Sequence, residues 1–580
     1  MKQHLFLLLT AIVCITAGFR FALNQKDNTT VANKSIADKK KFAISCTPDW
    51  NSINTDSLAS TISVLPGWGN YRWRISTNND SAQFYFNQGI NLYYAFHIIE
   101  SMASFKKAEL FDNKNAMIYW AQALAYGPNI NDFEYNVAPA AYDAAQKAVA
   151  LSSQCTAKEK ALIQAMAVRY SNDSSISRTI LNQEYTNAMH QVYKKFPGDA
   201  DAGTLYADAM MLQHPWEYWK HNGEAHPWTP AIIDVLEKTL ATHPNQPGAN
   251  HYYIHMVEAS PNPGRALPSA NRLGKLMPEV SHMIHMPSHI YIRTGNYSEG
   301  MKVNQMSVNG YNKYLGLYKE VESNAFLYLF HNLHMQSACA LFGANYTTAL
   351  QSAEACASHF DSSLLSLPQP LGNYAQYMYM TPVFANLRFG QWNAILTTKD
   401  IPEKYLYARV LQLWAKGMAH AAKMELKNAA TALQQMQEIM KAPDLQVVME
   451  PFNAPYAAAM VAEKILEGII AYKAGKIDDA ITMLQKAATH ETALIYTEPR
   501  DWLLPARQYL GDILLKAGKG AAAEKSFRED LNDNPGNHWS LWGLYQSLQL
   551  QKKAAAAAQV KIAYDKAFAV AKTTGSAILY

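Results

Sequence analysis

The chain has 580 residues, 49% of them apolar, and 51 basic against 47 acidic side chains leave a net charge of only +4. Such a length exceeds one small core and asks for several domains or an extended repeat array, while the apolar and aromatic content excludes a disordered chain except at its ends. Near-balanced charge, with no Lys/Arg block beside an aromatic platform, speaks against nucleic acid as a partner.

Residues 1–20 place Lys2 ahead of an apolar stretch from Leu5 to Ala17, the layout of a secretory signal peptide. Left uncleaved, the stretch is an N-terminal anchor, since it is short for a spanning helix. Val13 stands where a lipoprotein signal needs a small residue, which weakens Cys14 as a lipidation site. The expectation is an exported protein, whether periplasmic, envelope-associated or secreted, and no later segment suggests a transmembrane bundle. Cys46, Cys155, Cys339 and Cys356 remain after the leader, too few for a disulfide scaffold; one or two bridges or free buried thiols are both open. Residues 21–80, rich in Asn, Ser, Thr and Asp, read as a tether followed by an irregular cap.

From Ser81 the sequence turns to helical blocks of about a dozen residues separated by short turns. Residues 81–245 read as degenerate helical repeats, with one good unit at 83–127 and a Trp/His-rich stretch, QHPWEYWKHNGEAHPWTP, at 213–230. That stretch is expected to be an ordered loop, either a packed connector or a cover over part of a groove. Residues 246–363 are His-rich repeats, with turns at TGNYSEG (294–300) and ANYTTA (344–349). Residues 364–450 are again degenerate, with a turn at RFGQWNAI (388–395).

Residues 451–580 hold the clearest repeats. The block 461–494 sets Gly468, Gly475, Ala480, Leu484 and Ala487 at the small and apolar points of a 34-residue helix-turn-helix, and 504–537 sets Gly511, Gly518, Ala523, Phe527 and Pro535 at matching places. These blocks resemble the tetratricopeptide repeat family over about two thirds of the chain. The resemblance implies an all-α solenoid, a superhelix of antiparallel helix pairs in which the first helix of each pair lines a concave groove. It is informative about fold and weak about function. KKAAAAAQVKIAYDKAFAVAK at 552–572 is a strong helix former expected to close the stack, or to serve as a coiled tail or partner-binding helix.

Seven of the 18 histidines fall between 251 and 334, in HYYIHMVE, HMIHMPSH and HNLH. In the repeat frame His282 and His331 take the second position, His251, His285 and His334 the fifth, His255 and His289 the ninth, and Glu258 the twelfth. Spacings of three, four and seven put them on one helical face, and the family resemblance makes that the groove face. Neighbouring helices packed about 8–10 Å apart let such imidazoles meet around a metal ion. His251, His255, His282, His285, His289, His331 and His334 are therefore candidate ligands for zinc, copper or iron. Glu258 is a candidate to assist bound water or to ligate, and Arg293 a candidate partner for a substrate carboxylate. His97 and Glu100 form a weaker pair. HYYIH lacks the Glu that follows the first His in zinc metallopeptidases, which counts against that chemistry. The segments HYYIH and HMPSHIY also resemble a phrase in a group of bacterial tetratricopeptide-repeat proteins; the likeness marks these residues as one site and implies no reaction.

Cys339 and Cys356 sit at packing positions, and GxSxG, CxxC and phosphate-loop motifs are absent. Three functional classes stay open. One is a metal-dependent oxidative or hydrolytic enzyme. The others are a scaffold holding a protein or peptide in its groove, and a binder of a small acidic molecule.

Overall fold

A computed structural model describes residues 48, 50, 53–132, 139–317, 322–448 and 452–568. The leader at 1–20, Cys14, Cys46 and the final residues 569–580 lie outside the described residues. The chain is an all-α solenoid of the tetratricopeptide type, built from successive antiparallel helix pairs. Among the described residues the only bridge of strand type joins Trp219 and Ala225, and no helix is long and apolar enough to cross a membrane.

The clearest repeats form as their spacing predicts. Helix Pro455–Lys473 turns into Ile477–Thr492, and Ala506–Lys516 into Gly520–Asp533. Gly475, at the first turn, has φ +79°, a left-handed conformation that disfavours any side chain. A methyl group on Gly468 would sit 2.7 Å from Leu484 Cγ, so glycine there permits the close approach of the paired helix. At the ANYTTA turn the same backbone conformation falls on Ala344, φ +53°.

The irregular segment before Asp80 is ordered by side-chain amides of the Asp80–Tyr94 helix. Gln88 Oε1 accepts from Leu65 N, Asn87 Oδ1 from Trp73 N and Gln83 Oε1 from Ile75 N, each at 3.0 Å. These bonds replace a secondary-structure ladder for backbone that would otherwise be buried unpaired.

Two hydrophobic cores result, one spanning Leu58 to Tyr328 and the other Ile292 to Ala557. They meet on the helices at 281–342, and segments from both sides of the described chain return to those helices. Tyr314 donates to the Pro66 carbonyl at 2.7 Å. From the C-terminal side, Tyr297 donates to Pro535 O at 2.8 Å, Trp539 Nε1 to Leu341 O at 2.8 Å, and Arg293 to Asp533 O at 2.9 Å. The second half of the solenoid is thus closed on itself. Cys339 and Cys356 are buried and free and Cys155 is half-buried and free, so these three thiols form no bridge and act as packing groups.

Candidate metal centre

Three helical segments bring the histidines together. Pro247–Val257 carries His251 and His255. The run 281–293, interrupted at Pro287, which has no N–H to give Met283, carries His282, His285 and His289. Glu322–Phe342 carries His331 and His334. Residues four apart stack on one face, so His251 and His255 bring their Nε2 atoms to 3.1 Å, and His285 and His289 theirs to 2.8 Å.

The result is two adjacent triads. In the first, His282 Nε2 lies 3.1 Å from His251 Nε2, completing His251/His255/His282. In the second, His331 Nε2 lies 3.5 Å from His289 Nε2, completing His285/His289/His331. With metal–nitrogen bonds of about 2.05 Å, separations of 2.8–3.5 Å correspond to ligand angles of roughly 85–120° at a common ion.

The outer ring nitrogens decide what the inner ones can do. His251 Nδ1 donates to the Tyr94 carbonyl at 2.7 Å. His285 Nδ1 donates to Asn304 Oδ1 at 2.6 Å, and the orientation of that amide is set by Asn304 Nδ2 donating to Gly300 O. Both neutral rings therefore turn an Nε2 lone pair inward. Glu258, buried between the triads, faces His289 Nδ1 at 2.6 Å and His255 Nδ1 at 3.3 Å. A carboxylate accepts from both, leaving lone pairs at His255 and His289 Nε2 as well. A protonated Glu258 can donate to one of them only. At least one of the two pairs therefore sets lone pair against lone pair at about 3 Å unless a cation lies between. A proton is a poor choice of cation here: burial holds His255 down to about 3 and His285 and His289 to about 4. Burial also raises the Glu258 carboxyl, against the pull of His289 and Arg293.

His334 belongs to neither triad. Its ring packs against Tyr377 and both its nitrogens are buried with no hydrogen-bond partner among the described residues. Arg293 is not aimed at a substrate: its guanidinium donates to the backbone carbonyls of Glu258, Ser260 and Asp533 at 2.9–3.1 Å and lies over the Tyr496 ring. That makes it a clamp between the site and the last repeats. His97 and Glu100 pair with each other at 2.7 Å, outside both triads. Tyr253 and Tyr291 bond away from the site, to Glu237 and Asn271, and Met283, Met286 and Met335 are core residues.

A cavity of about 540 Å³ adjoins the triads. His255, His282, His289 and His331 line it, together with His334, whereas His251 and His285 lie deeper. Each triad thus has an anchored member and others facing open space. Trp216 covers part of it, its ring edge-on to the His255 ring with centroids 5.2 Å apart and its Nε1 donating to Ile130 O at 2.8 Å. The 213–230 loop is ordered, and Trp216 is the residue of it that lines the cavity. The rest of the wall is mainly aromatic and aliphatic, and among the described residues it holds two carboxyl groups and no Lys or Arg. The carboxyl of Glu498 has no signature in the sequence, because it reaches the chamber from a loop some two hundred residues from the histidines.

No protein-family model matches the sequence, and no curated protein matches it. Among solved structures, the chain is similar to a human IFIT1 dimer with m7Gppp-AAAA, at 12% identity over 90% of this chain and 95% of that one, with a TM-score of 0.29. It is also similar to yeast Tom70, at 11% identity over 84% and 91% with a TM-score of 0.25, and to the P58(IPK) TPR domain, at 11% over 82% and 99% with a TM-score of 0.21. At such scores nothing about the site is taken from these proteins, and the fold rests on the chain's own helix pairs.

Proposed function

We propose that this chain is a metalloprotein whose two three-histidine sites hold a pair of transition-metal ions beside a chamber for a small molecule. The observation that carries the reading is the pairing of inward Nε2 lone pairs at 2.8 and 3.1 Å, with outer nitrogens already committed to Tyr94, Asn304 and Glu258. Outer-shell acceptors of this kind fix the tautomer and raise ligand basicity at metal sites.

An all-imidazole set favours copper or zinc over ions that prefer oxygen, and copper is held more tightly in such sites. Glu258 spends both oxygens on imidazoles, so it is poorly placed to activate water. That weighs against hydrolysis and supports an oxidative role for a copper pair. When bound, the ions supply the redox chemistry; the protein orients six imidazoles, keeps them unprotonated and shields the chamber with Trp216. The leader at 1–20 supports export.

The repeat architecture by itself also suits a protein-interaction scaffold, and a scaffold makes no use of six converging imidazoles. Elemental analysis of the purified chain, beside a variant with His251, His255, His285 and His289 replaced by Ala, separates the two. Close to two equivalents of copper or zinc, lost in the variant, are expected. A chain that takes up no metal after reconstitution overturns the metalloprotein reading and leaves the scaffold.

A further inference from the structure

The wall of the chamber has a sign. Glu498 and Asp501 bring two carboxyl groups to it from one loop, and no Lys or Arg among the described residues lines it. Asp501 is satisfied, accepting from Asn453 Nδ2 at 2.7 Å and Thr497 Oγ1 at 3.2 Å. Glu498 is not: its Oε1 is shielded from solvent and has no hydrogen-bond partner among the described residues. The two arginines whose charge reaches it lie outside the lining and against the Tyr496 ring. Arg293 is committed to three carbonyls, and Arg500 faces Asp533 at 3.7 Å.

A buried acceptor left without a donor needs an explanation. Beside it stands a cavity within the ordinary size range for small-molecule sites, walled by Tyr374, Tyr377, Tyr407 and Phe452. We infer that the chamber binds an apolar amine, its aromatic or alkyl body against these rings and its ammonium donating to Glu498. This inference extends the proposed function by naming the substrate class, but the binding it describes does not require metal.

Three features support the choice. A charge-assisted bond supplies the donor that Glu498 Oε1 lacks. Aromatic faces attract a cation and repel an anion. A ligand bearing carboxylate or phosphate meets, in the metal-free chain, two acidic side chains and no Lys or Arg among the described residues. Burial and the neighbouring Glu258 hold the Glu498 carboxyl well above the usual carboxylate range, so an ammonium beside it stabilises a charge that the chamber walls disfavour.

The test is calorimetric titration of the full chain at neutral pH, after dialysis against chelator, with 2-phenylethylamine, 2-phenylethanol and 3-phenylpropanoate. The amine is expected to bind about tenfold more tightly than the alcohol, and the carboxylate most weakly. Glu498→Gln is expected to erase the margin of the amine and leave the alcohol unchanged. A carboxylate that matches the amine, a margin that survives Glu498→Gln, or no binding of any probe overturns the inference. The ranking on the unmodified chain needs no variant, so it decides even if Glu498→Gln does not fold. Metal content measured on the same preparation before dialysis keeps the two readings apart. Amine selectivity in a chain that never carried metal sinks only the metal pair, and a two-metal chain without selectivity sinks only the amine.

Discussion

Replacing Glu258 by Gln distinguishes a carboxylate that serves both triads from one that merely fills space. The carboxylate offers an acceptor to His289 at 2.6 Å and another to His255 at 3.3 Å. An amide of the same shape offers one acceptor and one donor. The imidazole facing the donor must move its proton to Nε2, the atom that would bind metal. The shorter bond keeps His289 on the amide oxygen, so His255 is the ring that changes tautomer. Loss of an outer-shell partner lowers metal affinity about 10–100-fold, or roughly 1.4–2.8 kcal/mol. Glu258→Gln is therefore expected to keep the His285/His289/His331 site and weaken the His251/His255/His282 site, giving about one tight ion in chelator competition. Glu258→Ala, which takes an acceptor from both triads, is expected to weaken both alike. Equal loss at the two sites in Glu258→Gln, or no loss at either, would refute this account of the bridge.

Arg293→Met should leave three partly buried carbonyls without their donor and detach the site from Asp533, costing about 3 kcal/mol in chemical denaturation; unchanged stability with lost turnover would instead make Arg293 a substrate contact. His334 is held down by burial to about 3, below its unfolded value, so acid favours the unfolded chain. Its contribution is complete above about pH 6.5 and is lost as pH falls towards 3, by roughly 1.4 kcal/mol per unit. His334→Leu should flatten the acid limb of stability against pH for the metal-free chain by about one proton's worth, and an unchanged slope counts against a buried neutral ring. Trp216→Ala removes the cover over His255, and chelator should then strip metal from the first triad several-fold faster, as followed by stopped-flow; an unaltered rate means that access runs elsewhere. Gly300→Ala places a methyl group 2.6 Å from Cys339 Sγ and should cost about 1–3 kcal/mol by thermal unfolding, with Cys339→Ala recovering part of it.

The helix pairs were readable because Gly468, Gly475, Ala480 and Phe527 obey local rules of close approach and turn geometry. Six of the seven candidate ligands were readable for the same reason: spacings of four and 34 put His251, His255, His285 and His289 on matching faces, His282 lies three residues before His285, and the neighbouring helix brought His331. His334 shares its register with His251 and His285 but packs against Tyr377 instead. What the pattern could not provide was anything fixed by chain return. Asn304 orients His285 from the second helix of the pair, Tyr94 orients His251 from more than 150 residues away, and Glu498 enters from a distant loop. Arg293 looked available as a free charge in the sequence, and only the return of Asp533 shows it spent on backbone.

The contacts from Arg293, Tyr297 and Trp539 to Asp533, Pro535 and Leu341 also bear on how such a chain can change. An open array of repeats tolerates gain or loss of a unit at its end, since each unit answers only to its neighbours. Here the last repeats dock against the histidine-bearing helices, so removing one 34-residue unit from the second half would shift Asp533 and Pro535 out of reach. The number of repeats between the site and the C-terminal end is in that sense counted by the fold, and length variation should be confined to loops outside the closed arc.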